Sequence, residues 1–386
     1  MARLTTANAD PGGAEAPEAV RAAARRLLDW FVQGALPIWW ERGADVAGGG
    51  YFDRLGHDGA PVDLPRRLRV QARQTHVYAL ARLLGWPGPA AAALRHGLAA
   101  VLAARGEDGL YGALPRSGAA LDGMGLVYDQ AFALLALAAG HAETGDAALE
   151  AAALALLDRL DDFAHPLGGY AEAPGLVAPL FANPNMHLLE AFQAWAATSA
   201  NPVWGERAAS QAELAQERLI DPENDAIGER FGPDWSRPTA RADQVVWPGH
   251  LYEWAWLLMD WQAADAATLA RALQLVELAE RTGVDAAGFV IFALDERLAP
   301  LERGARLWAQ TERIRACARA AALTGDGALW AATVQACGAL EAFLATPTPG
   351  LWRDWRDETG AFREEAAPAS SLYHIAGAML ELARLG

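Results

Sequence analysis

Gly50-Tyr51, Gly109-Leu110-Tyr111, Gly169-Tyr170, Asp225-Ala226-Ile227-Gly228, Gly288-Phe289 and Gly360-Ala361-Phe362 are six marks of one pattern. In five of them a glycine stands beside, or two residues before, an aromatic side chain; Gly228 holds its place without one. The glycines lie 59, 60, 59, 60 and 72 residues apart. A period of this size means that one supersecondary unit recurs and buries its apolar face only against its neighbours. Six marks predict six units.

Between the marks, apolar residues recur at i, i+3 and i+4, the spacing of a helix with a buried face. Such segments run through 20–40, 70–84, 90–104, 125–143, 147–163, 185–198, 204–219, 249–262, 266–281, 308–323, 328–344 and 370–385, about two per unit. Little strand signal separates them. Thr144-Gly145-Asp146 and Thr324-Gly325-Asp326 are the same tight joint used twice. Its glycine accepts the left-handed position that ends one helix, and its aspartate caps the next. Such joints force antiparallel neighbours. Other joints, such as 221–247, are long and rich in Gly, Pro, Trp and charge. Short joints at one end and long ones at the other predict an all-α (α/α)6 barrel, a toroid of six helical hairpins. Its long loops would line the functional mouth. Residues 1–16 read as a loose tail and 17–386 as a single barrel domain.

Hydrophobic residues are 53% of the 386, enough for a large core, and the net charge is -16. An acidic surface repels phosphate backbones, which argues against a nucleic-acid partner. Two cysteines, Cys317 and Cys337, exclude a disulfide framework and suit a reducing cytoplasm. The N-terminus lacks a basic start followed by an apolar run, so a secretory signal is not expected. No stretch reads as an uninterrupted membrane span. The expected partner is a small molecule, with monomer and homodimer both open.

Of eight histidines, His57, His96, His141 and His165 read as structural or surface residues, and His76 as ambiguous. His187, His250 and His374 each fall in the first turn of an inner helix, and those turns converge on one mouth. A helix N-terminus disfavours imidazolium, leaving a neutral ring able to act as a base near pH 7. Three histidines could also ligate zinc, but none is paired at i, i+4 with a second ligand, so no metal is expected. Glu253 lies three residues after His250 and is placed to orient it. Arg73, Tyr128, Asn183, Trp308, Gln310 and Glu312 fall on the same inner ring. Indole faces stack on sugar C–H surfaces, while amides and charges bind hydroxyls. Trp247 is a further stacking candidate. Asp129, Glu253 and Glu312 leave open a pair of carboxylates of the inverting glycosidase kind.

Taken together, Arg73, Tyr128-Asp129-Gln130, Asn183-Pro184-Asn185-Met186-His187, Pro248-Gly249-His250 with Glu253, Trp308 with Gln310-Thr311-Glu312, and Tyr373-His374 resemble the N-acylglucosamine 2-epimerase superfamily. The resemblance covers nearly the whole chain and implies an (α/α)6 barrel with cofactor-independent, metal-free proton transfer beside a sugar carbonyl. Residues 183–191 and 249–254 look most like its aldose–ketose isomerase branch, which includes mannose and sulfoquinovose isomerases. N-acylglucosamine and cellobiose 2-epimerases depart from these blocks. Ala309 departs from the branch, where proline is frequent. The resemblance implies that His374 removes the C2 proton, that His250, positioned by Glu253, shuttles hydroxyl protons, and that Arg73, Asn183 and His187 hold the carbonyl and hydroxyls. Arg241, in the long loop, is a candidate for a sulfonate.

Overall fold

The computed structural model describes residues 14–112, 126–261 and 263–385. Among them, helical rods follow one another as α1 (18–41, with a π turn at Phe31–Ala35), α2 (Leu68–Leu83), α3 (Ala90–Ala103), α4 (Val127–Thr144), α5 (Ala147–Leu160) and α6 (Ala182–Thr198). Then come α7 (Pro202–Leu214, extended by a π turn at Ala215–Leu219), α8 (Pro248–Asp260), α9 (Ala266–Thr282), α10 (Leu307–Thr324), α11 (Gly327–Leu344) and α12 (Ser371–Ala383). Even-numbered helices form an inner ring and odd-numbered ones an outer ring. α12 packs back on α2, and α1 covers α11 and α12, which closes an (α/α)6 barrel. The expected helix at 125–143 begins at Val127, because Leu126 is extended; residue 125 lies outside the described residues.

The two short joints behave as expected. Gly145 and Gly325 take φ of 68° and 72°, the left-handed region that a side chain disfavours. Asp146 and Asp326 accept from the amides of Ala148 and Ala328 at 2.9 and 2.8 Å. The long joints all precede inner helices, so the inner N-termini share one mouth.

The sixty-residue repeat has a physical cause. After each outer helix the chain turns and forms one antiparallel bridge: Ala44 with Tyr51, Arg105 with Tyr111, Ala164 with Tyr170, Ile220 with Ile227, Val284 with Val290, and Arg356 with Phe362. In four units an amide side chain from the fourth residue of the next inner helix clamps both backbone groups of the bridge residue. Gln71 does so for Tyr51 (2.6 and 3.0 Å), and Gln130 for Tyr111 (2.8 and 2.8 Å). Asn185 does so for Tyr170 (2.8 and 3.0 Å), and Gln310 for Val290 (2.9 and 3.1 Å). Buried backbone groups need such partners, so the same polar residue type recurs inside an apolar helix.

Four two-stranded ladders, each two or three residues long, stitch the long loops together; Arg54–Leu55 pairs with Ala367–Pro368 and ties the first unit to the last. Strands this short carry no alternation to read. Residues 1–13 of the expected tail lie outside the described residues, but Ala14 donates to Ala322 O at 3.1 Å and Ala16 is buried, so the packed barrel begins before residue 17. Among the described residues one helix, Gly327–Leu344, is long and apolar enough to cross a membrane by length and composition, although Thr333, Gln335 and Glu341 interrupt its apolar run. Half of it is buried here as the outer helix α11. Cys317 and Cys337 are buried and free.

Candidate active site

The site follows from i, i+4 geometry. The second residues of α2, α4, α6, α8 and α10 are Arg69, Tyr128, Asn183, Gly249 and Trp308, and the sixth residues are Arg73, Phe132, His187, Glu253 and Glu312. Positions four apart share a helix face. Five inner helices therefore present two stacked layers of side chains at the mouth, and α12 adds His374.

A cavity of about 170 Å³ lies there. That is well below the ~300–1,000 Å³ of sites for drug-sized ligands, and suits one small polar molecule. Arg73, Tyr128, Asn183, His187, His250, Glu253, Trp308 and His374 all line it. So do Trp247, Phe292, Arg306, Ser370 and Ser371.

Two imidazoles in it are each held by a carboxylate. His250 Nδ1 lies 2.9 Å from both oxygens of Glu229. His374 Nδ1 lies 2.8 Å from Glu312 Oε1. A proton on Nδ1 donates to the carboxylate and leaves each Nε2 with a lone pair. Both rings flank the indole of Trp308, with centroids 5.0 Å away for His250 and 5.8 Å for His374. Trp247 also packs on His250, with centroids 4.9 Å apart, and lies 6.4 Å from Trp308.

Burial drives His374 well below the usual histidine range, with the Arg73, His187 and Arg315 charges or rings pushing the same way. Burial also takes His187 down to about 4 despite its 3.3 Å contact with Glu190. Both rings are thus neutral at pH 7. The direction is the one a helix N-terminus favours, and its cause is desolvation together with the nearby Arg73 guanidinium. Glu190 is held at about 2: burial opposes this, but hydrogen bonds from His187 and Tyr373 and the charge of Arg315 outweigh it. A neutral His187 still donates to it.

Arg73 is buried, donates to Tyr128 Oη at 2.8 Å and lies 4.2 Å over the Phe132 ring. Among the described residues it has no carboxylate within ion-pair distance. Glu253 is buried with no hydrogen-bond partner for either oxygen, and Asn183 Oδ1 is likewise unpartnered. Unpaired polar atoms at a cavity wall are costly unless a ligand or water meets them.

The N-acylglucosamine 2-epimerase (GlcNAc 2-epimerase) family model matches residues 50–378. The chain belongs to the N-acylglucosamine 2-epimerase family. The mannose-6-phosphate isomerase of Rhizobium meliloti is 38% identical over 93% of this chain and 96% of its own. The D-mannose isomerase of Thermobifida fusca is 30% identical over 93% and 95%. A crystal structure of a D-mannose isomerase shares the fold with a TM-score of 0.85, at 22% identity over 93% of this chain and 97% of that one. Among such relatives the chain is a sugar isomerase.

Within this family member, four sequence assignments need correction. Glu253 does not hold His250; Glu229 does, while the closest histidine contact of Glu253 is His187 Nδ1 at 3.9 Å. Glu312 does not line the cavity: its two oxygens are taken by His374 and by Arg315 (2.7 Å), so it orients rather than binds. Gln310 does not line it either, because it is the backbone clamp of Val290. Arg241 lies outside, its side chain 73% exposed and paired with Glu296 at 3.4 Å. Glu229 was missed because it sits in a loop, immediately after the Gly228 mark, where no helical period points to it. Arg306, which pairs with Asp354, was missed for the same reason.

As a carboxylate pair, Glu253 and Glu312 stand too close together. Ligand-type atoms of Glu253, Glu312 and His374 lie within 4.8 Å of one another, closer than the ~6.5–9.5 Å that inverting hydrolysis needs. Asp129 is tied to Arg69 at 3.0 Å. The same three groups are close enough to ligate an ion. Each Glu312 oxygen, however, already accepts a hydrogen bond, one from Arg315 and the other from His374 Nδ1.

Proposed function

We propose that the enzyme interconverts a free aldohexose, with D-mannose as the first candidate, and its ketose. The observation that carries this is a pair of imidazoles, each oriented by its own carboxylate, at one small cavity.

In this reading His374 Nε2 removes the C2 proton. The C2–H electrons form the C1–C2 double bond while O1 gains a proton, giving a cis-enediol. His374 returns its proton to C1, and the O2 proton leaves as C2=O forms. His250 Nε2 carries the hydroxyl protons. Arg73, with the Asn183 amide, meets the negative charge that develops on oxygen, because fixed donors in a dry site stabilise it most; His187, whose Nδ1 proton goes to Glu190, accepts from a sugar hydroxyl through Nε2. Glu253 and Asn183 supply the unpartnered atoms that sugar hydroxyls would satisfy.

The named relatives divide between a free and a phosphorylated mannose. Among the described residues two guanidiniums line the cavity, and Arg306 is already paired with Asp354. One uncommitted cation suits a neutral sugar better than a phosphate dianion, which favours paired forks. The 38% identity to the mannose-6-phosphate isomerase supports the phosphorylated sugar as the second reading. The decisive experiment assays D-mannose and D-mannose 6-phosphate side by side for ketose and for the C2 epimer. Ketose from free mannose supports the proposal. Turnover of the phosphate alone transfers the assignment to it, and a C2 epimer without ketose makes the enzyme an epimerase.

A further inference from the structure

A second cavity, of about 300 Å³, is lined by residues of all six inner helices, by Gly205 and Ala208 of the outer helix α7, and by the joint after α8. Its walls are apolar for the most part, with Leu80, Leu135, Leu257, Leu380 and Trp256 among them. At its inner end stand two nitrogens that the isomerase mechanism does not use. Arg315 is 4% exposed, and its Nε has no hydrogen-bond partner. Nδ1 of His76 is likewise buried and unpartnered. A donor left unpaired in an interior costs free energy that an acceptor oxygen would recover. Gly377 makes the room: a Cβ there would stand 3.2 Å from Arg315 Nε and Cζ.

Arg315 also faces the other way. Its Nη1 donates to Glu312 Oε2 at 2.7 Å, and Glu312 Oε1 holds His374 Nδ1 at 2.8 Å. One guanidinium therefore joins the floor of this cavity to a ring of the active site. We infer that the second cavity binds a small carboxylate with an apolar body, and that its occupancy is transmitted to His374 through Arg315 and Glu312. The apolar body would lie against the leucines and Trp256, and the carboxylate would accept from Arg315 Nε and His76. The binding half stands without the proposed reaction; the transmitted half rests on it.

Benzoate and hexanoate are the probes, with benzyl alcohol as the uncharged control, and binding is measured by calorimetry on the full chain. Gly205, on α7, also lines the cavity, and a Cβ there meets nothing within 4 Å. Gly205 is exposed at the edge of this cavity, so Gly205→Leu places an apolar side chain across that edge, with a Cβ free of contacts and away from the active-site lining. Expected are saturable binding of a carboxylate probe, at least a tenfold loss of affinity in Gly205→Leu, unchanged basal turnover in that variant, and a change in wild-type kcat of twofold or more at saturating probe. Failure of both acids to bind, or equal affinity in Gly205→Leu, overturns the site. Equal binding of benzyl alcohol overturns the carboxylate. Binding with unaltered kcat overturns the transmission, while failure of the proposed reaction leaves the binding result standing.

Discussion

Nδ1 of His374 lies 2.8 Å from Oε1 of Glu312, and both groups are buried inside the barrel. The carboxylate fixes the tautomer that leaves Nε2 free. Glu312→Gln puts an amide there, which can present N–H to Nδ1 and turn the ring to the wrong tautomer. His374→Ala is expected to lower kcat at least ~100-fold, and Glu312→Gln by a comparable factor, the scale of general acid–base catalysis. The double variant should be no worse than His374→Ala alone, because the two act as one unit. Steady-state kinetics on the three proteins checks this. Near-normal kcat in Glu312→Gln ends the orienting role.

His250 and Glu229 make the parallel case from a different part of the chain. Glu229→Gln should lower kcat ~10-fold or more while leaving the melting temperature close to wild type, since Glu229 is only partly buried. If Glu253→Gln instead reproduces the His250→Ala kinetics and Glu229→Gln does not, the sequence assignment of Glu253 as the partner of His250 was right after all.

These two carboxylates mark the limit of what the sequence displays. Helix period, joint chemistry and glycine spacing each arise from local backbone needs, so the six-unit barrel is legible. Arg73, Tyr128, Asn183, His187, Trp308 and the two dyad histidines lie near inner helix N-termini, where position alone brings them together. Gln310 falls in the same first turn as Trp308, yet the helical angle sends it outward to a loop. Gln71, Gln130, Asn185 and Gln310 each lie fourth in their helix, but so does the cavity-lining His374 in α12, so place in the helix does not by itself separate a clamp from a site residue. The Glu229–His250 contact depends on how a 28-residue joint, Ile220 to Trp247, folds back, and no local rule encodes that.

Gln310→Ala tests that reassignment. It strips partners from Val290 N and O, both in buried surroundings. The expected loss is ~2–6 kcal/mol of stability, at about 1–3 kcal/mol for each of the two unsatisfied groups. KM for the sugar should stay within about twofold. Chemical denaturation and kinetics on one preparation separate the two; a large KM increase at unchanged stability would restore Gln310 to the binding site.

His76 makes stability depend on acidity. Burial takes its pKa from 6.5 to about 4, with Arg315 pushing the same way and Glu190 opposing. The unfolded chain therefore binds a proton that the fold excludes between those values. The contribution is fully present above pH 6.5 and falls as pH drops from 6.5 towards 4, by roughly 3 kcal/mol at 1.36 kcal/mol per unit. His187, at about 4, adds in the same window. Melting temperatures measured between pH 4 and 7 should fall with acid. His76→Gln should flatten the slope, and an unaltered slope in that variant assigns the acid sensitivity elsewhere.

Arg73 is the clearest case of function working against stability. It is buried, lacks a carboxylate partner among the described residues, and its Nε has no acceptor. Its compensation comes from the Tyr128 hydroxyl and from the Phe132 and Tyr373 rings, 4.2 and 5.1 Å from its guanidinium carbon. A cation in that setting is paired in full only when oxygen charge develops on a bound sugar. Arg73→Met keeps the volume and the contact with Phe132 while removing the charge. Replacing a buried charge by a well-packed apolar group is often neutral or stabilising by about 1–4 kcal/mol. The variant should melt at or above the wild-type temperature while kcat/KM falls by ~100-fold or more, the cost of losing one donor to a developing oxyanion. Arg73→Lys, which keeps the charge without the planar fork, should recover only part of that loss. Thermal denaturation together with kcat/KM on both variants decides the matter. Destabilisation of Arg73→Met with kcat/KM unchanged would make Arg73 a structural residue and remove it from the reaction.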